Sequence, residues 1–570
     1  MIRYCLSFTQ YYQHLIEVSI TFRAEPQQKI WLPTWIPGSY LIREFAKHVE
    51  RVSACSSENS QAIKLQKISK NQWQLDNQES TDIEVKYQVY AYDLSVRGAY
   101  IDNERLYVNP AAVCMGIGGQ ENQPIELHLN IPQGLAHFTL ATGLSVLTNS
   151  DTAYQLGAKN YAELIDQPLE LAEQAITTFE AENITHRVAI SGRHQTNLAR
   201  LGSDLQKICS AQIKLFGDAP FNDYLFMVMA TANSYGGLEH QKSTSLITPR
   251  DDLPKLDEPE QPSSNYRRFL GLCSHEYFHS WMVKFIRPHN YVTPNLHQED
   301  YTTLLWVFEG ITSYYDDLML LRSGVIDEAA YLDLIKEQIS RYLSNPGRHV
   351  QSVAESSFDA WIKYYRPDEN SNNAGTSYYN KGALVAMCLD LTLRQHGASL
   401  DQLLQQLYSQ AKTGQQVHES TIADLCQSLA GQSLHQFFDD YIDGTQELPL
   451  ESLLEQVGIE LAHEHKSWPL GLKVQETPQG LLVQQVLRDS SGAKAGISAH
   501  DTIIALNDLK ATNHLIQQFC AKNHTNQTIK CHLFRRDELK TVELASNTVT
   551  MPTAKLQIKD RNLLKHWLGE

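Results

Sequence analysis

The residues best spaced for chemistry lie in Ser274-His275-Glu276-Tyr277-Phe278-His279-Ser280. On a helix, positions four apart share a face one turn apart, so His275 and His279 can reach one ion while Glu276 projects beside it toward a water. Two imidazoles with an adjacent carboxylate point to metal-assisted hydrolysis by a zinc centre. Such a centre needs a third protein ligand and an open fourth position. Glu309 is the candidate: it is a lone acid in Leu304-Leu305-Trp306-Val307-Phe308-Glu309-Gly310-Ile311-Thr312-Ser313-Tyr314-Tyr315. A carboxylate buried in such a run is costly unless it is paired or binds metal. The plainer readings are a buried helix whose histidines make ordinary hydrogen bonds, and a Glu309 salt-bridged to an arginine or emerging at the surface.

Positioning these groups takes two helices. For the first, Ser263, Ser264 and Asn265 are N-cap candidates, Phe269, Leu272, Cys273 and Phe278 form an apolar side, and Pro288 follows its end. The second starts at Thr302 or Thr303 and stops near Gly324. Upstream, 188–192 and 224–230 read as strands with a helix over about 197–216 between them, a βαβ-like prelude. From Met1 to about Asn160, short alternating runs separated by Gly, Pro, Asn and Ser predict an antiparallel β domain. Near 161–185 the pattern turns helical and then mixed. After Gly324 it is almost wholly helical, over 329–343, 379–396, 400–412, 422–429 and 434–442.

The HEYFH helix, the LLWVFEGITSYY helix and Tyr235-Gly236-Gly237-Leu238-Glu239-His240 together resemble the glycyl aminopeptidase family of zinc metallopeptidases, related in its catalytic part to the aminopeptidase N superfamily. The stretches from Trp35 to Val49 and from Ser95 to Asp102 extend the likeness over most of the chain. Met282 and Phe285 replace more polar residues of the family, touching no expected ligand. The resemblance implies that Glu239 pairs with the substrate's free amine and that Gly236 and Gly237 leave room for a peptide backbone. It also implies that Tyr379, in Ser377-Tyr378-Tyr379-Asn380-Lys381-Gly382, donates to the oxyanion, although Tyr378 is adjacent. A preference for Gly or Ala as first residue comes from the family alone. Tyr40, Arg43 and Arg97 either line the cleft or make structural hydrogen bonds.

Residues 470–474, 480–486, 491–497 and 501–507 resemble a PDZ domain, which accepts an extended peptide as an added strand and holds its C-terminal carboxylate on a Leu-Gly-Leu type loop. A rigid appendage that buttresses the enzyme is the alternative. The expected fold is thus multidomain α+β: an N-terminal antiparallel β domain (1–160), a thermolysin-like zinc catalytic domain (161–345), an α-helical domain (346–450), a C-terminal PDZ domain (456–547) and a C-terminal tail (548–570).

Forty-eight basic against 65 acidic residues give a net charge of −17, which argues against nucleic acid or an anionic membrane as partner. No signal segment and no membrane-spanning apolar run is evident, so a cytoplasmic location is expected. Nine scattered cysteines without a CxxC pair read as reduced and structural, Cys273 among them. The function expected is a zinc aminopeptidase with one Zn2+ per chain, acting on peptides with a free N-terminus. The alternatives are a zinc endopeptidase and a non-catalytic PDZ scaffold.

Overall fold

Alternating burial builds the N-terminal sheet: in Leu15–Ala24, every second residue from Ile16 to Ala24 is buried. The computed structural model describes residues 1–521 and 527–568. Its first sheet has eight strands in the order Ser145–Ser150, Ala153–Ala158, Ile125–Asn130, Ile2–Gln10, Leu15–Ala24, Thr81–Tyr90, Val49–Ser56 and Ala62–Ile63. Pairing is antiparallel as expected except between Ile2–Gln10 and Ile125–Asn130, which run parallel. Those two strands are far apart in sequence, so no hairpin dictates their direction.

By its contacts the chain divides into two units, Met1–Thr302 with Tyr315–Glu328 and Asp401–Thr421, and Thr303–Tyr314 with Ala329–Leu400 and Ile422–Glu570. In the first unit, the N-terminal sheets are followed by a mixed sheet ordered Ala175–Ala181, Ile184–Ser191, Asp223–Thr231, Ser243–Pro249, Gly236–Glu239. The middle pairings are parallel and the outer ones antiparallel. Helix Leu198–Phe216, capped by Asn197 and stopped at Gly217, makes the crossover between the first parallel pair. The helical character expected near 161–185 is confined to Tyr161–Ile165, and strands Leu169–Ala172 and Ala175–Ala181 take the rest. Alternation wins there, as Ala175–Ala181 exposes every other side chain up to Glu180.

The second unit holds helices Asn380–Gln395, His435–Tyr441 and Leu450–Gln456. Helix Leu400–Lys412 lies almost wholly in the first unit, where Gln405 and Lys412 bond Leu215 O and Asp218. A two-stranded ribbon, Ile459–Pro469 with Thr548–Ile558, leads into and out of a last sheet ordered Leu472–Thr477, Gly480–Val486, Thr502–Leu506, Thr528–Arg535, Glu538–Ala545. This module packs its own core of Leu481, Val483, Ile503, Leu506, Ile529 and Leu533. The stretch expected as a C-terminal tail holds strand Thr548–Ile558 and helix Arg561–Leu568. Among the described residues, no helix is long and apolar enough to cross a membrane.

Candidate active site

The helix bearing the first motif is Ser264–Phe278, with Ser263 Oγ accepting from Tyr266 N. His275 sits in its last turn, and His279 closes it with helical backbone angles, accepting the constraint of the His279 N to His275 O bond at 3.3 Å. Their Nε2 atoms face each other at 3.1 Å. His275 Nδ1 is 2.9 Å from Asp316 Oδ2, and His279 Nδ1 is 3.3 Å from Met282 O. With acceptors at both Nδ1 atoms, each ring holds its proton there and turns a lone pair toward the other. Two lone pairs at that distance repel unless a cation lies between them.

Strand Gly236–Glu239 forms an edge of the mixed sheet and passes over the helix's end. A Cβ on Gly237 would stand 2.1 Å from Glu276 Oε1, so the absence of a side chain there makes room for that carboxylate. Glu276 and Glu239 are both buried, and their ligand-capable atoms lie within 4.8 Å of one another and of one from His279. Glu239 Oε1 has no hydrogen-bond partner among the described residues. Gly38, at φ 97°, presses its backbone against that carboxylate, since a Cβ there would lie 2.2 Å from Oε1. Arg97 Nη2 donates to Gly237 O (3.0 Å), which places it at the edge strand. A Cβ on Gly236 would stand 3.8 Å from Arg97 Nη1, an ordinary contact. Tyr40 is fully buried and stacked on Tyr291, while Arg43 donates to Ser39 Oγ.

Asp166 fastens the far end of this strand. Its carboxylate accepts from Gln241 N (2.8 Å) and from Lys284 Nζ (2.9 Å). Burial acts to raise the Asp166 pKa, but Lys284 and His240 more than offset it and hold the group below the usual carboxylate range. Cys273 is buried and its thiol is pushed up by burial, as suits a structural neighbour.

The second helix begins later than its composition predicts, as a π-helical turn Trp306–Gly310 running into Ile311–Arg322. Trp306 N is satisfied by Ser357 Oγ (3.0 Å), and helical pairing begins only with Leu304 O, which accepts from Val307 N (2.9 Å) and Phe308 N (3.3 Å). Glu309 lies in the π turn, 2 % exposed. Gly310 abuts Gly382 so closely that a Cβ on it would stand 2.7 Å from Gly382 Cα. This backbone crossing sets helix Asn380–Gln395, with Tyr379 at its N-cap, against the Glu309 turn. Burial, then Glu309, raise the Tyr379 pKa well above the ordinary phenol value, so it remains a donor. Tyr379 OH lies 3.0 Å from Tyr365 OH, whereas Tyr378 is fully buried.

The ligand-capable atoms of His275, His279 and Glu309 lie within 4.8 Å of one another. Asp316, which sequence reasoning passed over, follows Glu309 by seven residues, two turns along one face of the same helix. That spacing was the signal for it. Gly38, Gly310 and Gly382 were also missed, and of these the first carries no local sign of its proximity to Glu239.

Residues 268–385 match the family model of M61 glycyl aminopeptidase, and residues 3–173 that of the Peptidase M61 N-terminal domain. Among solved structures, an aminopeptidase N family protein from Idiomarina loihiensis is similar at 38% identity over 100% of both chains, with a TM-score of 0.94. The M1 zinc metallopeptidase from Deinococcus radiodurans is similar in fold, at 13% identity and a TM-score of 0.50, covering 79% of this chain and 94% of that one. None of the curated proteins matches.

Proposed function

This chain belongs to the M61 glycyl aminopeptidase family and is a metallo-aminopeptidase, a hydrolase of peptide bonds, and on that premise we propose that it releases Gly or Ala from peptides with a free N-terminus using one Zn2+. His275, His279 and Glu309 would hold the ion. The observation that carries this reading is the pair of opposed Nε2 atoms, 3.1 Å apart with both Nδ1 atoms engaged, a donor set that fits zinc. When bound, zinc polarises the scissile carbonyl and lowers the pKa of water.

The protein's own groups do the rest. Glu276 accepts a proton from the attacking water and delivers it to the leaving amine. Glu239 pairs its unpartnered oxygen with the substrate ammonium, fixing cleavage one residue from the N-terminus. Tyr379 donates to the oxyanion, a role its raised pKa supports. Asp316 keeps the His275 proton on Nδ1, so that Nε2 presents its lone pair as the ligand. Gly236 and Gly237 lie on an edge strand that can pair with an extended peptide, an arrangement supported by its position at the border of the sheet.

We assign residues 161–345 to a thermolysin-like catalytic domain, 346–450 to a helical domain and 456–547 to a PDZ domain. In the last module the amides of Leu470 and Gly471 already bond Asn547 O and Trp468 O (2.9 Å each). A peptide C-terminus there would therefore rely on strand addition at Leu472–Thr477 more than on a carboxylate loop. All nine cysteines are free, which supports a reducing, cytoplasmic setting.

Hydrolysis of aminoacyl p-nitroanilides and of matched free and N-acetylated peptides tests this reading. Release should be confined to small unblocked residues, stop with a chelator and return with Zn2+. Equal cleavage of acetylated peptides would establish an endopeptidase instead, and a chain that takes up no zinc would be a scaffold. Glu276→Gln should lower kcat by about 10²–10⁴-fold with zinc content unchanged, measured by elemental analysis beside the assay.

A further inference from the structure

A second cluster of ligating side chains lies outside the catalytic groups. Pro288 and Val417 form a parallel bridge, in which His289 N donates to Val417 O (3.0 Å) and Val417 N to Arg287 O (2.9 Å). The bridge holds two strands of chain far apart in sequence at a fixed register, and the residue after each bridging position is a histidine. The rings of His289 and His418 stack with centroids 4.7 Å apart and planes 18° apart. Glu419 completes a group whose ligand-capable atoms lie within 4.8 Å of one another, with all three residues exposed. The loop is held on its other side too, since His418 N donates to Thr421 Oγ1 (2.9 Å) and Thr421 N to His418 O (3.0 Å).

We propose that His289, His418 and Glu419 form a second metal site that takes one Zn2+ ion, with solvent in the fourth position. Two imidazoles and one carboxylate suit a borderline transition-metal ion, and they suit Mg2+ and Ca2+ poorly because those ions require oxygen donors. The backbone on both sides of the pair is already ordered by hydrogen bonds, so binding needs only side-chain adjustment, and little freedom remains to be lost. Exposure lets the ion enter without opening the fold. Bound there, it would tie the segment after the catalytic helix to the loop at 417–419, so its effect is on stability rather than on the reaction. None of the three residues has a part in the proposed mechanism, and the site stands whether or not that mechanism holds.

The full-length enzyme, stripped with a chelator and dialysed against Zn2+ at rising concentration, gives the test. Wild type should saturate at two ions per chain, and a His289→Ala/His418→Ala variant at one with its peptidase activity retained. The Tm of wild type should rise further between one and two equivalents, and that of the variant should not. A His289→Ala/His418→Ala variant that takes up as many ions as wild type overturns the proposal. A His275→Ala/His279→Ala chain distinguishes the two zinc assignments: it should retain the surface ion alone, and if it retains none the surface site fails whatever the catalytic centre does. Excess Mg2+ should leave the second equivalent in place, and displacement by Mg2+ would contradict the donor assignment.

Discussion

At the scale of single residues, the Asp316 contact to His275 makes the clearest demand. The carboxylate fixes which ring nitrogen carries the proton, and its Nδ1 to Oδ2 distance of 2.9 Å leaves Nε2 as the atom proposed to hold zinc. Asp316→Asn should weaken zinc binding by about 10–100-fold, measured by competition with a chromophoric chelator, while the thermal stability of the metal-free chain changes little. His186 supports the same helix from the other side, its Nε2 lying 2.8 Å from Tyr277 OH and its Nδ1 2.8 Å from Ile184 O. Burial pulls its pKa down to about 4. In the unfolded chain it titrates near 6.5, so as pH falls from there toward 4 the unfolded state takes up the proton first and stability is lost. The loss should total roughly 2–3 kcal/mol over that window. Urea unfolding at pH 7 and pH 4.5 checks it: the stability advantage of wild type over His186→Gln should shrink at the lower pH.

At the scale of elements, the site depends on places where backbone runs against a side chain or another backbone. Gly237 on the edge strand lies over Glu276, and Gly38 over Glu239. A methyl group at Gly237 would force either the strand or the proposed base to move by an ångström or more. Gly237→Ala should therefore lower kcat/KM by about 10², read in the p-nitroanilide assay, with zinc content and Tm close to wild type. An equal loss of zinc and activity would show that the strand supports the metal helix instead. The spacing motif itself was legible in the chain, because i to i+4 periodicity is a local property of a helix. The Gly310 to Gly382 crossing was not, because nothing within either segment tells which helix face meets the other.

At the scale of the molecule, the C-terminal residues return to the helices of the second unit. Trp567, 1 % exposed, donates from Nε1 to Tyr314 OH (3.2 Å), and Tyr314 donates to the buried Asp390 (3.1 Å). Asn373 reaches the last module as well, donating to Val486 O and accepting from Arg488 N. The sheet module is thus joined to the helices by hydrogen bonds at Asn373 and, beyond the ribbon, by the closing helix Arg561–Leu568. Removal of the Trp567 side chain leaves a large cavity beside Tyr314 and takes away the donor to its hydroxyl. Trp567→Ala should cost about 3–5 kcal/mol, visible as a lowered Tm of the full chain, and unchanged Tm would show that the closing helix is dispensable.

What the sequence determined by itself is chemistry on a short period: His275, Glu276 and His279 on one helical turn, the Ser263 cap before them, and a lone acid at Glu309 whose burial required a partner. Those features depend on neighbours within a few residues, and helix geometry converts their spacing directly into a face. The tertiary structure decided what brings distant segments together: Asp316 beside His275, Gly38 on the carboxylate of Glu239 some two hundred residues away, and the bridge that sets His289 by His418. These arise because faces are buried against whatever apolar surface or unpaired backbone they meet, a choice made by the whole fold and not by any stretch of it.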